Sequence, residues 1–216
     1  MSVSYFIPDL APEDLHRCEE IVRRSRFIVS LAHTPTPEAA KSFIERIKQE
    51  FPDATHNCWA YAAGAPGQTS KVGYSDDGEP HGTAGRPMLT MLLHGGVGEL
   101  SAVVTRYFGG IKLGTGGLVR AYQGMVKLGL ETLPTREHMI PARVEVVLDY
   151  PHITVFRRLP DYRATVASEN FGVDATYELL LPDQNIPALE TALTELTDGA
   201  VLITRLDDGT MPPETP

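Results

Sequence analysis

The residues best suited to bind an anion form a glycine-rich segment from Arg106 to Leu118. Glycines let a ligand approach the backbone closely, and the unpaired N–H groups at the start of a following helix favour negative charge. Arg106 and Lys112 would add positive charge to such a cradle. The same glycines also suit a tightly packed junction between a strand and a helix, so both interpretations stay open.

The segment matches neither of the common nucleotide-binding motifs. A Walker A loop has a lysine between its last glycine and its Ser or Thr, whereas Thr115 follows Gly114 directly. A Rossmann fingerprint beginning at Gly114 would need glycine or alanine in place of Val119. Tyr107 and Phe108 could stack on bases, although aromatic residues on strands more often belong to a core. The candidate residues for binding RNA or another anion are Arg86, Arg106, Tyr107, Gly109, Gly110, Lys112, Gly114, Thr115, Gly116, Gly117 and Lys127.

A second group of polar residues lies in a turn-rich loop of about twenty residues between Gly64 and Gly85. Three carboxylates and a histidine within six positions of this loop could hold Mg²⁺ or Ca²⁺, because both ions select oxygen ligands. The spacing does not match an EF-hand, and Asp-Gly and Glu-Pro are common turn sequences. We therefore expect a hydrogen-bonded turn or a partner-binding loop, and we assign no metal and no cofactor. The candidate residues of this loop are Asp76, Asp77, Gly78, Glu79, His81, Gly82, Thr83 and Gly85.

The chain offers little for nucleophilic catalysis. Ser75 and Ser101 do not lie in a G-x-S-x-G elbow. Cys58 follows His56 by two residues on a predicted strand, but free cysteine is commonly buried. We recognise no catalytic residue, so we expect a binding protein. The alternative is an enzyme that acts on a small phosphorylated substrate. In that case Mg²⁺ would be held by the loop between Gly64 and Gly85, which we call the upstream loop.

Composition and charge restrict where the protein works and what it binds. The chain has 216 residues, of which 42% are hydrophobic and 22% charged. We expect a cytoplasmic protein that does not enter a membrane, because there is no basic leader and no apolar run of about 18 residues. Residues 140–216 hold 5 basic and 13 acidic residues, whereas Gly82–Leu130 holds five basic residues and one acid. Since Lys and Arg supply most non-specific affinity for nucleic acid, only the second of these segments suits a polyanion.

Hydrophobic periodicity predicts two α+β domains with a boundary near Met139. In the first domain, covering 1–139, we expect strands at 26–32, 56–63 and 100–108, and helices beginning near Pro37, Pro87 and Leu118. In the second domain, covering 140–207, the predicted strands are 143–148, 163–167, 175–181 and 201–205, and the predicted helices are 152–159 and 186–196. This βαββαβ order is typical of a ferredoxin-like domain. Residues 208–216 are expected to be a flexible tail.

Several of these motifs together resemble the IMPACT/YigZ family. They are Tyr74–Pro80, Gly82–Gly85, Val103–Gly110 and Leu113–Leu118. The resemblance covers about residues 20–130, and the smaller second domain of bacterial members would account for 140–210. It implies a first domain with the fold of ribosomal protein S5 domain 2, and a second that is similar to the ferredoxin-like last domains of elongation factor G.

The resemblance also implies translation-related binding rather than a known reaction. Eukaryotic relatives inhibit an initiation-factor kinase by competing for its activator protein, with the help of an additional N-terminal RWD domain. We find no room for that domain before residue 20. For this chain, we expect the first domain to present its basic glycine-rich segment to RNA or the ribosome. A protein–protein adaptor, which contacts its partner through the acidic ferredoxin-like sheet, is a further alternative. The oligomeric state is not predicted.

Overall fold

Seven β-strands and three helices build the first part of the chain in the computed structural model, which describes residues 4–158 and 162–206. The strands are β1 (Ser4–Pro8), β2 (His16–Val22), β3 (Ser25–His33), β4 (His56–Ala62), β5 (Val72–Ser75), β6 (Leu100–Tyr107) and β7 (Thr135–Met139). The helices are α1 (Pro37–Glu50), α2 (Gly85–His94) and α3 (Thr115–Thr132). None of the described helices combines the length and apolar character that crossing a bilayer requires.

The strands form one five-stranded antiparallel sheet in the order β2-β3-β6-β4-β5, while β1 and β7 form a separate two-stranded sheet. Because successive side chains of a strand point to opposite faces, adjacent residues of the sheet join different cores. Val103 packs with Phe43 and Ile47 of α1, whereas Val104 belongs to the larger core that α2 and α3 cover. The central strand β6 is therefore buried on both faces.

Four strands were not predicted from the sequence: β1, β2, β5 and β7. Strand β2 is an edge strand with mostly exposed residues, so it lacks the apolar run by which β3 and β6 are recognised. The four-residue strand β5 lies inside the segment that was assigned entirely to a loop. Helix α3 begins at Thr115, earlier than the predicted Leu118. The glycines at its start are poor helix formers, so the sequence pattern did not include them in the helix, although they form its first turn.

The second part of the chain has the ferredoxin-like order that was predicted. It contains β8 (Ala142–Leu148), α4 (Ile153–Phe156), β9 (Thr165–Phe171), β10 (Ala175–Leu181), α5 (Ile186–Leu196) and β11 (Leu202–Arg205). The sheet order is β11-β8-β10-β9, and all neighbours are antiparallel. The alternating buried residues of β8 and β10 pack against Leu189 and Leu193 of α5.

Helix α4 corrects the sequence-based prediction of a helix over 152–159. It covers only four residues and follows a short 3₁₀ turn at Tyr150–His152, which begins with a proline at its second position. Residue 159 and the tail predicted for 208–216 lie outside the described residues.

The chain divides into two compact units between His138 and Met139. Tyr5–His138 forms one unit, and the described residues from Met139 onward form the other together with Ser4. All of the candidate binding residues belong to the first unit.

Candidate anion-binding cleft

The glycine-rich segment connects the end of β6 to the start of α3, and its first glycine is needed for close packing. A Cβ atom on Gly109 would lie 1.9 Å from the carbonyl oxygen of Arg24. The Gly109 N–H donates a hydrogen bond to Ser25 Oγ at 3.2 Å. At this position the packing interpretation of the glycines applies, since the amide already has an acceptor within the protein.

The next glycines leave the start of α3 open. Gly114 occupies the N-cap position with a φ of 74°, which favours glycine, and its side chain cannot cap the helix. Its carbonyl oxygen accepts the N–H of Leu118 at 2.9 Å. Within the described residues, the N–H groups of Thr115, Gly116 and Gly117 have no hydrogen-bond acceptor. Three backbone donors and the positive end of the helix dipole are therefore available to an anion.

Thr115, which supplies the first of these donors, borders a cavity of about 470 Å³ in which the two sequence motifs meet. Its walls include Glu79 and Pro80 from the upstream loop, and Arg106, Lys112, Gly114 and Thr115 from the glycine-rich segment. We call this cavity the α3 cleft. The remaining walls come from Thr55, His56, Phe108, Leu113 and Leu118.

Arg106 forms a buried ion pair at the α3 cleft rather than an open binding site for phosphate. Its side chain is 6% exposed, and Nη1 lies 2.5 Å from Glu79 Oε1. The guanidinium also lies 5.4 Å from the ring centroid of Phe27 and 5.5 Å from that of Phe108. The expectation that Arg106 adds net positive charge therefore needs correction, because the Glu79 carboxylate neutralises it.

A hydrogen-bonded network continues from Glu79 into the core. Tyr122 donates its hydroxyl hydrogen to Glu79 Oε1 at 2.8 Å, and Cys58 Sγ lies 3.4 Å from the Tyr122 oxygen. Burial raises the pKa of the Cys58 thiol and that of the Tyr122 hydroxyl well above their ordinary values. Cys58 is therefore a protonated core thiol at neutral pH, as the usual burial of free cysteine indicated.

His56 is oriented by the backbone of the upstream loop. Its Nδ1 lies 2.8 Å from the carbonyl oxygen of Asp77, so Nδ1 must carry the hydrogen, because a carbonyl oxygen can only accept. The other ring nitrogen, Nε2, points to the acidic side of the cleft and lies 3.9 Å from Glu79 Oε2. That distance is longer than a hydrogen bond. The two atoms therefore face each other across a gap.

The other two carboxylates of the upstream loop hold the loop together. Asp76 accepts hydrogen bonds from the N–H groups of Gly82, Ala84 and Gly85 at 2.8, 3.0 and 2.9 Å. Partial burial opposes ionisation of Asp76, but these three donors outweigh it and lower its pKa. Asp77 Oδ2 accepts the N–H of Asn57 at 2.7 Å.

A hydrogen-bonded turn therefore describes this loop better than a cation site. In the part of the chain that the structure describes, no group of three or more His, Cys, Asp or Glu side chains could hold a metal ion. Asp76 instead holds the first residues of α2, and Thr83 donates its hydroxyl hydrogen to the Pro80 carbonyl oxygen at 2.6 Å. Gly85 has to be glycine, because a Cβ there would lie 2.6 Å from the Ser75 carbonyl oxygen.

Four other candidate residues lie away from the cleft walls. The Tyr107 hydroxyl donates to Asp53 Oδ1 at 2.9 Å, and the His81 side chain is 99% exposed. Arg86 is exposed on α2. Lys127 is twelve residues along α3 from Thr115, which corresponds to about 18 Å of helix. Of the basic side chains proposed for the anion site, Lys112 is the one that lines the cleft without an ion-pair partner among the described residues.

Sequence reasoning did not assign His56 and Phe108 to the site. His56 lies opposite Arg106 in the register of β4 and β6, and this pairing brings the first residue of β4 to the cleft. Phe108 follows the last residue of β6 and is 47% exposed. The two aromatic residues after Arg106 were a usable signal, but only the register and the end of the strand decide which of them is exposed.

The fold and the cleft define a class of two-domain α+β protein. In this class an antiparallel sheet with helices on both faces precedes a ferredoxin-like domain, and the cleft lies at the start of α3 in the first domain. Residues 23–130 match the family described as Impact N-terminal domain, and residues 146–200 match the domain of unknown function DUF1949. The chain belongs to the IMPACT family.

Relatives from three bacteria resemble the chain over most of its length. It is 40% identical to an IMPACT family member of Haemophilus influenzae, over 93% of this chain and 98% of that protein. It is 39% identical to IMPACT family member YigZ of Escherichia coli, over 88% and 93% of the two chains. IMPACT family member YvyE of Bacillus subtilis is 36% identical, over 91% and 88%.

A solved structure supports the same architecture. The crystal structure of a hypothetical protein superposes with a TM-score of 0.74 at 37% identity, and it covers 96% of this chain and 99% of that one. The similarity therefore extends over both domains rather than over the first alone.

Proposed function

We propose that this protein is a cytoplasmic, translation-related RNA-binding protein whose α3 cleft binds a phosphate group of the RNA. The observation that carries the proposal is the set of three unpartnered N–H groups at Thr115, Gly116 and Gly117 at the start of α3, where Thr115 and Lys112 both line the α3 cleft. Backbone donors at a helix start, with the dipole behind them, form a ready site for a phosphate. The translation context comes from the resemblance of both domains to parts of the translation machinery.

The charge at the cleft supports selective rather than general polyanion binding. Glu79 neutralises Arg106, and Lys127 pairs with Glu131 at 3.7 Å. Lys112 and the α3 donors therefore supply the attraction at this site. Since each phosphate neutralised on a single strand contributes a slope of about −0.7 to the plot of log K against log salt concentration, we expect a shallow salt dependence for RNA binding.

The acidic second domain would reduce non-specific binding further. Residues 140–216 hold 5 basic and 13 acidic residues, and such a surface repels nucleic acid that is not fixed by a specific contact. We therefore propose a structured RNA partner, such as the ribosome, in preference to bulk RNA.

The test removes a single backbone donor. Thr115 is the first residue of α3, a position where helices tolerate proline because its N–H is not used by the helix. Thr115→Pro deletes one of the three donors, whereas the matched control Thr115→Ala retains it. We expect binding of a short RNA and of purified ribosomes to weaken at least about fivefold in Thr115→Pro relative to Thr115→Ala.

A charge change provides an independent readout of the same site. Lys112→Glu should abolish the interaction, while Lys127→Glu, the same change farther along α3, should leave it largely intact. Equal binding by Lys112→Glu and Lys127→Glu would contradict the assignment of the α3 cleft. Absence of RNA and ribosome binding by the unmodified protein would contradict the function itself.

An enzyme acting on a small phosphorylated substrate is the second candidate function. The meeting of the two loops in one cleft, with His56 in its wall, favours it. Its Mg²⁺ component is less favoured, because Asp76 and Asp77 accept backbone N–H groups instead of facing the cleft. Thermal stabilisation of the protein by a nucleotide with Mg²⁺, but not by the nucleotide alone, would support this candidate.

A further inference from the structure

A second cavity adjoins the α3 cleft, between the edge strand β2 and helix α3. Its volume is about 360 Å³, and we call it the β2–α3 groove. Arg23 lines the groove from the turn that follows β2, while Gly117 and Arg120 line it from α3. Leu113 lies in the walls of both the groove and the α3 cleft, so the two cavities meet at this residue. The proposed phosphate site therefore has a neighbouring cavity with two arginines in its wall.

The arginines around this groove differ from most arginines of the first unit in having no ion-pair partner. Five others lie 2.5 to 3.7 Å from a carboxylate oxygen: Arg17, Arg26, Arg46, Arg106 and Arg136. Among the described residues, no carboxylate forms an ion pair with Arg23, Arg24 or Arg120, and all three are exposed. Glu20 also lines the groove, but it pairs with neither of the two arginines there. The groove therefore has a net positive charge that is available to an anion.

Two contacts hold these arginines against the glycine-rich segment. Gly109 packs on the backbone carbonyl group of Arg24, which fixes the turn after β2 beside the loop that leads to α3. Arg120 Nη1 lies 4.0 Å from the position that a Cβ atom on Gly116 would occupy. Its guanidinium therefore lies over the first turn of α3, because helical side chains lean towards the helix N-terminus. Arginines from two separate elements thus adjoin the same short segment of backbone.

The turn that carries Arg23 and Arg24 has a backbone conformation that arginine seldom adopts. Their φ angles are 46° and 67°, and Val22 pairs with Ser25 across this two-residue turn. Such a hairpin turn favours Asn-Gly or Asp-Gly, because both central residues need positive φ. Neither arginine side chain makes a hydrogen bond or ion pair within the described part of the chain, so the fold gains no contact in return. An unfavourable conformation that displays two charged groups points to a binding role.

We propose that the β2–α3 groove is a second phosphate site, held by Arg23 and Arg120, and that one single RNA strand places consecutive phosphates in the groove and in the α3 cleft. Guanidinium groups suit this task because they bind phosphate through two parallel N–H donors. Two small cavities that meet at Leu113 fit a flexible strand, whereas a duplex is too stiff to bend between them. This inference rests on the proposed function and adds the number of phosphates and the single-stranded form of the ligand.

The first experiment counts the phosphates by titration calorimetry on the full chain. A uridine dinucleotide with a 5′-phosphate has two phosphates and should bind about tenfold more tightly than UMP, which has one. Arg120→Glu should remove this difference. Arg86→Glu is the matched control and should retain it, because Arg86 is exposed, has no ion pair among the described residues and lines neither cavity.

The outcomes separate the second phosphate site from the proposed function. If the protein binds RNA but the difference is absent, or persists in Arg120→Glu, the second site is wrong while the proposed function stands. Equal binding of a duplex and a single strand of the same length would contradict the single-stranded ligand. Displacement of the RNA by an equally charged poly-glutamate peptide would show that the groove takes an acidic protein instead. Absence of RNA and ribosome binding by the unmodified protein would contradict both proposals.

A double change in the turn separates binding from folding. Arg23→Asn together with Arg24→Gly introduces the sequence that this turn favours, so the melting temperature should rise by about 2 °C or more. The same variant should bind a short single-stranded RNA about tenfold more weakly. The slope of log K against log salt concentration should change from about −1.4 to about −0.7, because one phosphate contact is lost. Unchanged RNA affinity and slope would overturn the proposal, whether the melting temperature rises or falls.

Discussion

Arg106 and Glu79 form a buried ion pair that joins the last turn of the upstream loop to the end of β6, with Nη1 and Oε1 2.5 Å apart. The pair fixes the relative position of the two motifs, which are 27 residues apart in the sequence. It also determines the electrostatics of the cleft, because the guanidinium charge is neutralised in place. In the proposed anion site, the attraction would therefore come from the start of α3 and from Lys112.

Glu79→Ala should destabilise the protein by about 3–5 kcal/mol, because it leaves the Arg106 charge buried without a partner. Urea unfolding followed by circular dichroism measures the change in the free energy of unfolding. Glu131→Ala, which breaks the exposed pair with Lys127, is the control and should change stability by about 0.5 kcal/mol or less. Similar decreases in the free energy of unfolding in the two variants would show that the buried pair stabilises the protein no more than the exposed pair does.

Gly109→Ala should destabilise the protein by about 1–3 kcal/mol, since the added Cβ would lie 1.9 Å from the Arg24 carbonyl oxygen. Gly124→Ala is a suitable comparison, because Gly124 lies within α3 and a Cβ there meets nothing within 4 Å. It should stabilise the helix by about 0.5–1 kcal/mol. Thermal unfolding of both variants decides the prediction, which fails if the two changes have the same sign.

Asp76 should make the stability of the first domain depend on acid pH. Its pKa is lower in the folded protein than in the unfolded chain, so its contribution is present above the unfolded pKa of about 3.9 and is lost as the pH falls through the folded pKa. Asp76→Asn should therefore flatten the fall in stability below about pH 4. Asp14→Asn, at an exposed aspartate, should retain the wild-type profile. An unchanged acid profile in Asp76→Asn would contradict the role of its backbone donors.

Cys58 should be protected from alkylation in the folded protein. Burial raises the pKa of its thiol, and the thiolate is the reactive form. Iodoacetamide at pH 8 followed by mass spectrometry should modify the half-buried Cys18 well before Cys58. In denaturant the two cysteines should react alike, and Cys58→Ala should leave the early modification in place. Rapid alkylation of Cys58 in the folded state would show that its strand opens readily.

Much of the fold was predictable because it depends on local patterns. The apolar runs of β3, β4 and β6 identified the buried strands, and the alternation in β8 and β10 indicated a sheet with one covered face. The βαββαβ order of the second domain followed from the same reasoning. The short strand β5 was missed, because in the sequence it is surrounded by turn residues and only its pairing with β4 makes it a strand.

The candidate site was only partly predictable. The glycine-rich segment identified the start of α3, because glycines and a following apolar period are visible in the sequence. The roles of Arg106, Asp76 and Asp77 were decided by their partners. Arg106 is neutralised by a carboxylate from another loop, and the two aspartates accept backbone N–H groups within the fold.

The amino-acid sequence by itself determined the buried strands β3, β4 and β6, the βαββαβ order of the second domain, the family and the presence of a donor-rich helix start. Only the tertiary structure decided which charges remain free and that His56, Glu79 and Phe108 surround the same cavity. The physical reason is that hydrophobic periodicity acts between residues close in the chain. The charge and hydrogen bonding of a polar side chain depend instead on neighbours that strand pairing brings together from distant positions.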